Sequence, residues 1–434
     1  MKRWLFFLLP GLVLFTLASA RASELPAPLP LPLQADGHGH QLLPAGNYQG
    51  NFVIDHSADV ICAKGAVIDA GGQGNALLIT APNVQLQNCT IRNWGKDLTA
   101  LNSAIFVART ATGAAIIHNN LSGPGFGIWL DSTPDTRVLG NRIEGDLSLR
   151  SQDRGNGIQV FNTHNALVAD NEVWHTRDGI YIETADGNEL RHNYLHDLRY
   201  GIHYMYSQRN RIIGNHTERT RTGYALMQSH HLTVIGNRSD HDQNYGILLN
   251  YITYSELRDN RIDQVHPGTG ITGVAIDGAE GKALFVYNSE FNTIEHNYLG
   301  HSNLGIHLTA GSEDNSILGN VFDHNQQQVK YVATRPQEWS KDGKGNFWSD
   351  YLGWDRNGDG IGDVPYEPND NIDRLLWTYP QARLLMHSPA VETLRLAQQA
   401  FPVIKAQGVR DSAPLMQMPV IDPDKPAARI AGRD

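Results

Sequence analysis

Sulfur is the least evenly spread chemistry in this chain. Of its six Met one is the initiator, and the other five are Met205, Met227, Met386, Met416 and Met418, none of which falls in a regular core pattern. Met205 and Met227 lie 22 residues apart, with His203 two residues before the first of them. Thioether and imidazole donors together select Cu(I) over the hard cations, and an exposed set of them suits passing a metal on more than keeping it. A Met pair equally suits an adaptable surface covered by a loop or a partner, so both readings stand. Met416-Gln417-Met418 sets two thioethers on one side of an extended chain, and Met386-His387 adds a thioether and an imidazole. Next to Pro such pairs also serve as apolar anchors. His38-Gly39-His40 is a further candidate for copper or zinc.

Harder donors cluster elsewhere. Asp355, Asn357, Asp359, Ile361 and Asp363 occupy positions 1, 3, 5, 7 and 9 of a calcium loop, Ile361 through its carbonyl, with Gly360 at position 6. Gly362 at position 8 and Tyr366 at position 12 depart from the EF-hand pattern, so Asp370 or Asp373 would have to complete the shell. The reading is structural calcium, against a plain Asp/Gly turn. Cys62 and Cys89 are either a disulfide or two buried thiols. Acid–base work on an acidic sugar needs a base, an acid and cations on one face. His175, Arg177, His196, Arg199, His203, Arg219 and Arg221 are its candidates, but Glu172, Glu183, Asp197 and Glu218 alternate with them, which is the pattern of a solvated salt-bridge surface.

All these groups depend on a repeat. A two-residue signature ending in Asn recurs at Asn171, Asn193, Asn215 and Asn237, then at Asn260, with weaker copies at Asn141, Asn297, Asn320 and Asn346. In phase with it run Gly157, Gly179, Gly201, Gly223 and Gly246, each opening a short alternating run. Short alternating runs between turn residues are strands, and a period near 22 fits one turn of a parallel β-helix, since the leucine-rich spacing is absent. The recurring Asn reads as a stacked amide ladder. Counting Gly as zero, positions one and three (Ile158/Val160, Ile180/Ile182, Ile202/Tyr204, Tyr224/Leu226, Ile247/Leu249, Ile306/Leu308) point inward. Positions two and four, including His203/Met205 and Ala225/Met227, point outward.

With 434 residues, 41% hydrophobic and 18% charged, the chain is of globular composition, and a net charge of −10 gives no footprint for nucleic acid. Lys2 and Arg3, the apolar run Trp4 to Leu17 and Ala18-Ser19-Ala20 read as a secretory signal peptide, so the mature chain is expected in the periplasm, where disulfides are permitted. The expected layout is a signal peptide over 1–22, a Pro-rich segment over 23–43 and an all-β parallel β-helix over 44–348 with an interrupting loop near 266–284. A cap with the calcium-like loop follows over 349–387, then a short helix from Ser388-Pro389 and an extended tail over 388–434. Trp339, Phe347, Trp348, Tyr351 and Trp354 are expected to seal the last coil.

The cap stretch Gly345-Asn346-Phe347-Trp348-Ser349-Asp350-Tyr351 is followed by Asp359-Gly360-Ile361-Gly362-Asp363-Val364-Pro365-Tyr366 and by Ser388-Pro389-Ala390. With Asp411-Ser412-Ala413-Pro414-Leu415-Met416 and the loop sequence from Glu280 to Asn288, these resemble the NosD family, periplasmic accessory proteins of nitrous oxide reductase maturation. The resemblance runs from the first coils to about Pro419. It implies a right-handed β-helix with no catalysis of its own, working beside an ABC transporter permease and its ATPase, with nitrous oxide reductase and a copper chaperone as partners. Copper, or sulfur, is what it would supply. On that reading His203, Met205 and Met227 bind Cu(I) transiently, and the C-terminal helix and tail dock the permease. The competing reading of a β-helix is a polysaccharide lyase or uronate epimerase.

Overall fold

Tight corners at the Asn signature set the architecture. The computed structural model describes residues 27–268, 280–332, 335–369, 388–391, 393 and 408–424. In it the residue before every signature Asn but the last, Asn346, is left-handed: Gly140, Asp170, His192, Gly214, Gly236, Asp259, His296 and Gly319 all have φ between 52° and 66°. Gly, Asp and His accept that conformation more readily than branched residues do, which is why the position varies among them. Each corner joins a short strand of a second sheet to one of a third, and a longer strand of a first sheet completes the coil. The result is a right-handed parallel β-helix of three 13-stranded sheets. Pairing between coils is parallel throughout them, apart from Gln34–Ala35 against Gln41–Leu43 at the N-terminal edge.

The ladder is continuous. Each Asn Oδ1 accepts both the backbone N–H and the Nδ2–H of the Asn one coil earlier, as at Asn171 to Asn193 (3.1 and 2.9 Å) and Asn193 to Asn215 (3.1 and 2.9 Å). It runs from Cys89 N–H through Asn119, and ends where Asn346 N–H donates to Asp411 Oδ2 at 2.7 Å. Every one of these amides is buried, so each unmade bond would cost a full desolvation penalty.

Inside, the parity reading holds: Ile158, Val160, Ile180, Ile182, Ile202, Tyr204, Tyr224 and Leu226 have no exposed surface. One polar knot interrupts the core. Thr217 and Ser239 occupy the column of Leu195 and Ile262, and their hydroxyls, with the N–H and hydroxyl of Thr220, donate to the buried carboxyl of Asp242 at 2.7–2.8 Å. Burial pushes this carboxyl up to about 6 in spite of those bonds.

Both ends differ from expectation. The coil stack begins before 44: Gln41–Leu43 pairs with Val60–Cys62, and the Pro-rich stretch takes part in it, with Leu29–Pro30 paired to Phe52 and Val53 and Leu31 buried. Cys62 and Cys89 form a disulfide between neighbouring coils, with Cα atoms 4.9 Å apart. The interrupted coil resumes with the strand Lys282–Tyr287, paired to Tyr245–Thr253, so the expected loop over 266–284 is shorter at its end. At the C-terminal end Phe322, Trp339 and Trp348 stack with ring centroids 4.2–6.2 Å apart, and Tyr366 joins Trp348 at 4.5 Å. Trp354 stays outside this seal at 59% exposed.

The tail returns to the cap. Val409–Arg410 pairs with Gln337–Glu338, and Leu415 bridges Phe347 and Ile361. Asp411, fully buried, also accepts the Trp348 indole N–H at 2.8 Å. A Cβ at Gly345 would strike Asp411 Oδ1 at 1.8 Å, so only glycine permits this closure. Residues 408–416 are thus cap, not a free arm. Pro389, Ala390, Val391 and Thr393 are helical, and Ser388 Oγ lies 3.4 Å from Val391 N–H in the N-cap position. No helix among the described residues is long and apolar enough to cross a membrane. The expected signal peptide lies outside the described residues.

Asn215→Ala leaves two donors of Asn193 without an acceptor in the interior, so denaturant unfolding is expected to show a loss of roughly 2–4 kcal/mol. Asp242 holds its proton more tightly when folded than an unfolded Asp near 3.9 does, so its contribution to stability is complete below about pH 4 and fades as pH rises through 6. Melting curves of the wild type and Asp242→Asn between pH 4 and 8 should therefore diverge in their pH slope within that window.

Candidate functional site

Strand register assembles the donors. Within the first sheet, strand Tyr200–Met205 lies between Asp178–Glu183 and Thr222–His230, with Tyr181, His203 and Ala225 as successive Cα partners in one column and Glu183, Met205 and Met227 in another. Because Ile202, Tyr204 and Leu226 face the core, both columns lie on the outer wall. Rungs are about 4.8 Å apart, which makes the two thioethers lateral neighbours, and the Met205 side of the strand also holds the His203 ring. All three are partly buried.

His203 is aimed from behind. Asp178 opens the strand Asp178–Glu183 with 1% exposure, and its Oδ2 lies 3.0 Å from His203 Nδ1. Arg199 donates two further bonds to the same carboxylate at 2.7 and 2.6 Å and lies over the Tyr200 ring at 4.4 Å. Burial pulls the Asp178 carboxyl upward, but the bonds from His203 and Arg199 outweigh it and hold the group below the usual range. An ionised carboxylate takes the proton on Nδ1, which leaves Nε2 as a free lone pair of fixed direction. Tyr181 and Tyr200 flank the ring at 4.4 and 5.0 Å. Burial, with Glu183 and Asp178 nearby, pushes the Tyr181 phenol up to about 12, so it remains a neutral hydroxyl.

Asp178, Tyr181 and Tyr200 are the site residues that the sequence reading passed over. For Asp178 and Tyr200 the signal lies in the residue preceding each coil glycine: Asn156, Asp178, Tyr200, Thr222, Tyr245. Only one of these is acidic, and its partner His203 is one coil away.

The remaining candidates are scattered. Met416 and Met418 sit at the cap, where Met416 N–H bonds Gly360 O at 3.0 Å and Met418 is 44% exposed. They are about five rungs from Met227, on the order of 25 Å. Met386 and His387 lie outside the described residues. His40 Nδ1 is paired with Asp59 at 2.9 Å at the opposite end. The calcium-loop residues form one turn whose carboxylates bind its own amides: Asp355 accepts from Gly358 and Gly360, Asp359 from Ile361, and Asp363 from Arg356, at 2.7–2.8 Å. Position 12 brings no ligand, since Tyr366 donates to Asp350. Asp370 and Asp373 lie outside the described residues.

Two of the four arginines that an acidic sugar would need are spent, whereas Arg177, whose Nε is buried without a hydrogen-bond partner among the described residues, and Arg221 stand outside these pairs. Arg199 is bound to Asp178, and Arg219 to Asp197 at 3.0 and 2.8 Å and to Glu218. The Arg219 bonds hold Asp197 down at about 2 against the pull of burial. His196 lies 2.7 Å from Asp197. These pairs are of the kind expected from the alternating charges.

Asp178→Asn is expected to leave Arg199 half-buried without its carboxylate, lowering stability by about 3 kcal/mol. Nitrogen-detected NMR of the imidazoles should show the Nδ1–H form of His203 in the wild type and a tautomer mixture in the variant.

The chain from 139 to 353 matches the family described as NosD, periplasmic copper-binding protein. A Pseudomonas aeruginosa protein named "Probable ABC transporter binding protein NosD" is 59% identical over 88% of this chain and 89% of its own. A Stutzerimonas stutzeri protein of the same name is 58% identical over 87% of this chain and 86% of its own. Among solved structures, the Streptococcus pneumoniae surface adhesin PfbA superposes with a TM-score of 0.54 at 10% identity, covering 68% of this chain and 92% of that one. That likeness concerns the β-helix alone. Identity of this extent along nearly the full length of both NosD proteins has one meaning: the chain belongs to the NosD family, described as periplasmic copper-binding proteins.

Proposed function

We propose that this protein is a non-catalytic periplasmic accessory of an ABC transporter that receives Cu(I) at His203, Met205 and Met227 and passes it toward the copper sites of nitrous oxide reductase. A permease, its ATPase and a copper chaperone are its working partners in this scheme. The observation that carries it is the register of Met205 with Met227 on the outer wall, beside an imidazole whose Nδ1 is occupied by Asp178. Two thioethers and one imidazole suit a soft monovalent ion, and partial exposure keeps it exchangeable. Copper is favoured over sulfur as the cargo because both cysteines of the chain are joined in a disulfide, so no thiol remains to carry a persulfide. Calcium at Asp355, Asn357, Asp359, Ile361 and Asp363 would be a structural ion, distinct from the cargo.

A second reading uses the Asp178–His203 pair as an acid–base dyad of a uronate lyase or epimerase, and turnover of alginate or pectate by the purified protein would support it. The copper reading expects none.

Cu(I) titration against a competing chromophoric chelator should lose about tenfold or more in affinity in the Met205→Ala/Met227→Ala variant. Unchanged affinity would remove these residues from the ligand set.

A further inference from the structure

At the corner that follows the third sheet, near the C-terminal end, four donors converge away from the thioether wall. His301 and His324 occupy the same left-handed corner one coil apart, each with φ 47°, and their rings stack 5.9 Å apart at 6°. A ring nitrogen of each and an oxygen of Asp323 lie within 4.8 Å of one another. His301 Nδ1 is also 2.9 Å from Asp263 Oδ1.

The column beneath explains the recess. Asp240, Asp263, Gly300 and Asp323 are successive Cα partners, so a glycine interrupts a row of acids. A Cβ at Gly300 would meet the Tyr298 ring at 2.4 Å, and with none there the phenol crosses the gap to donate to Asp323 Oδ2 at 2.7 Å. Asp263 and Asp323 are buried at 8% and 6% exposure. Asp263 has Arg261 as its cation at 2.7 Å, and that guanidinium also covers the Tyr298 ring at 3.9 Å. Among the described residues Asp323 has no Lys or Arg, only Tyr298 and His324. A buried carboxylate is ordinarily paired with a permanent charge. Three coils upstream the equivalent corner holds Arg219 bound to acids; here imidazoles replace it.

We propose that His301, His324 and Asp323 form a binding site for a borderline divalent ion of the zinc or copper(II) class, with Asp263 orienting His301. Imidazole nitrogen with carboxylate oxygen suits these ions, whereas calcium and magnesium take oxygen alone and Cu(I) favours sulfur. Ligand atoms on one zinc ion lie about 3–4 Å apart with bonds near 2 Å, so closing from 4.8 Å requires only small rotations of two exposed rings. The ion would supply the positive charge that Asp323 lacks. This site is separate from the thioether wall in both place and donor type.

The test is Zn2+ titration of the signal-free, purified chain, with Co2+ absorption reporting nitrogen ligation. His301→Asn and His324→Asn are the variants, since Asn tolerates the left-handed corner. One equivalent of Zn2+ is expected in the wild type, with each variant weakening it by about tenfold or more and Met205→Ala/Met227→Ala leaving it intact. Equal Zn2+ affinity in wild type and both histidine variants, or no stoichiometric Zn2+ in the wild type, would overturn the assignment.

Discussion

A buried amide oxygen that must accept two hydrogen bonds from the coil before it sets the pitch of this molecule. Because the same oxygen takes a backbone N–H and an Nδ2–H, as between Asn193 and Asn215, neither translation along the axis nor rotation of one coil against the next is tolerated. The parallel sheets inherit that lock. Most of their strands in the second and third sheets are only three residues long, too short to specify register by themselves, and the ladder supplies what they lack.

Once coils are locked, function becomes a matter of columns. Residues one period apart in sequence become lateral neighbours, so Met205 finds Met227 and His301 finds His324 without any loop to bring them together. The outer wall of the first sheet differs from the corner beyond the third in what lies behind the ligands. Behind His203 stands an acid neutralised by Arg199; behind His324 stands one that no guanidinium among the described residues reaches.

The architecture was legible because its signals repeat. Asn at fixed spacing, the alternation after each glycine and the Met pair can each be read from one line of sequence. What escaped reading was information that appears only once. Asp178 differs from Tyr200 and Thr222 at one register position, and its importance depends on a histidine 25 residues later. Asp411 lies 65 residues beyond Asn346, in a stretch without periodicity, so its place at the end of the ladder was invisible and the segment looked like a free arm. Trp354 was counted with the seal because it is aromatic and nearby; Tyr366, farther along, fills the place through its stack on Trp348. Periodic sequence encodes the middle of a solenoid, whereas its ends are built from unique residues.

The carboxylate of Asp411 carries a consequence beyond this one chain. An Asn at that place could both accept from below and donate upward, presenting a further subunit with the same template that each coil presents to the next. A carboxylate accepts and hands nothing on. Solenoids whose terminal rung remains donor-competent invite head-to-tail fibre growth. Ending the hydrogen-bond relay on a carboxyl group that accepts from both Asn346 and Trp348, beside stacked indoles, closes the ladder instead of continuing it.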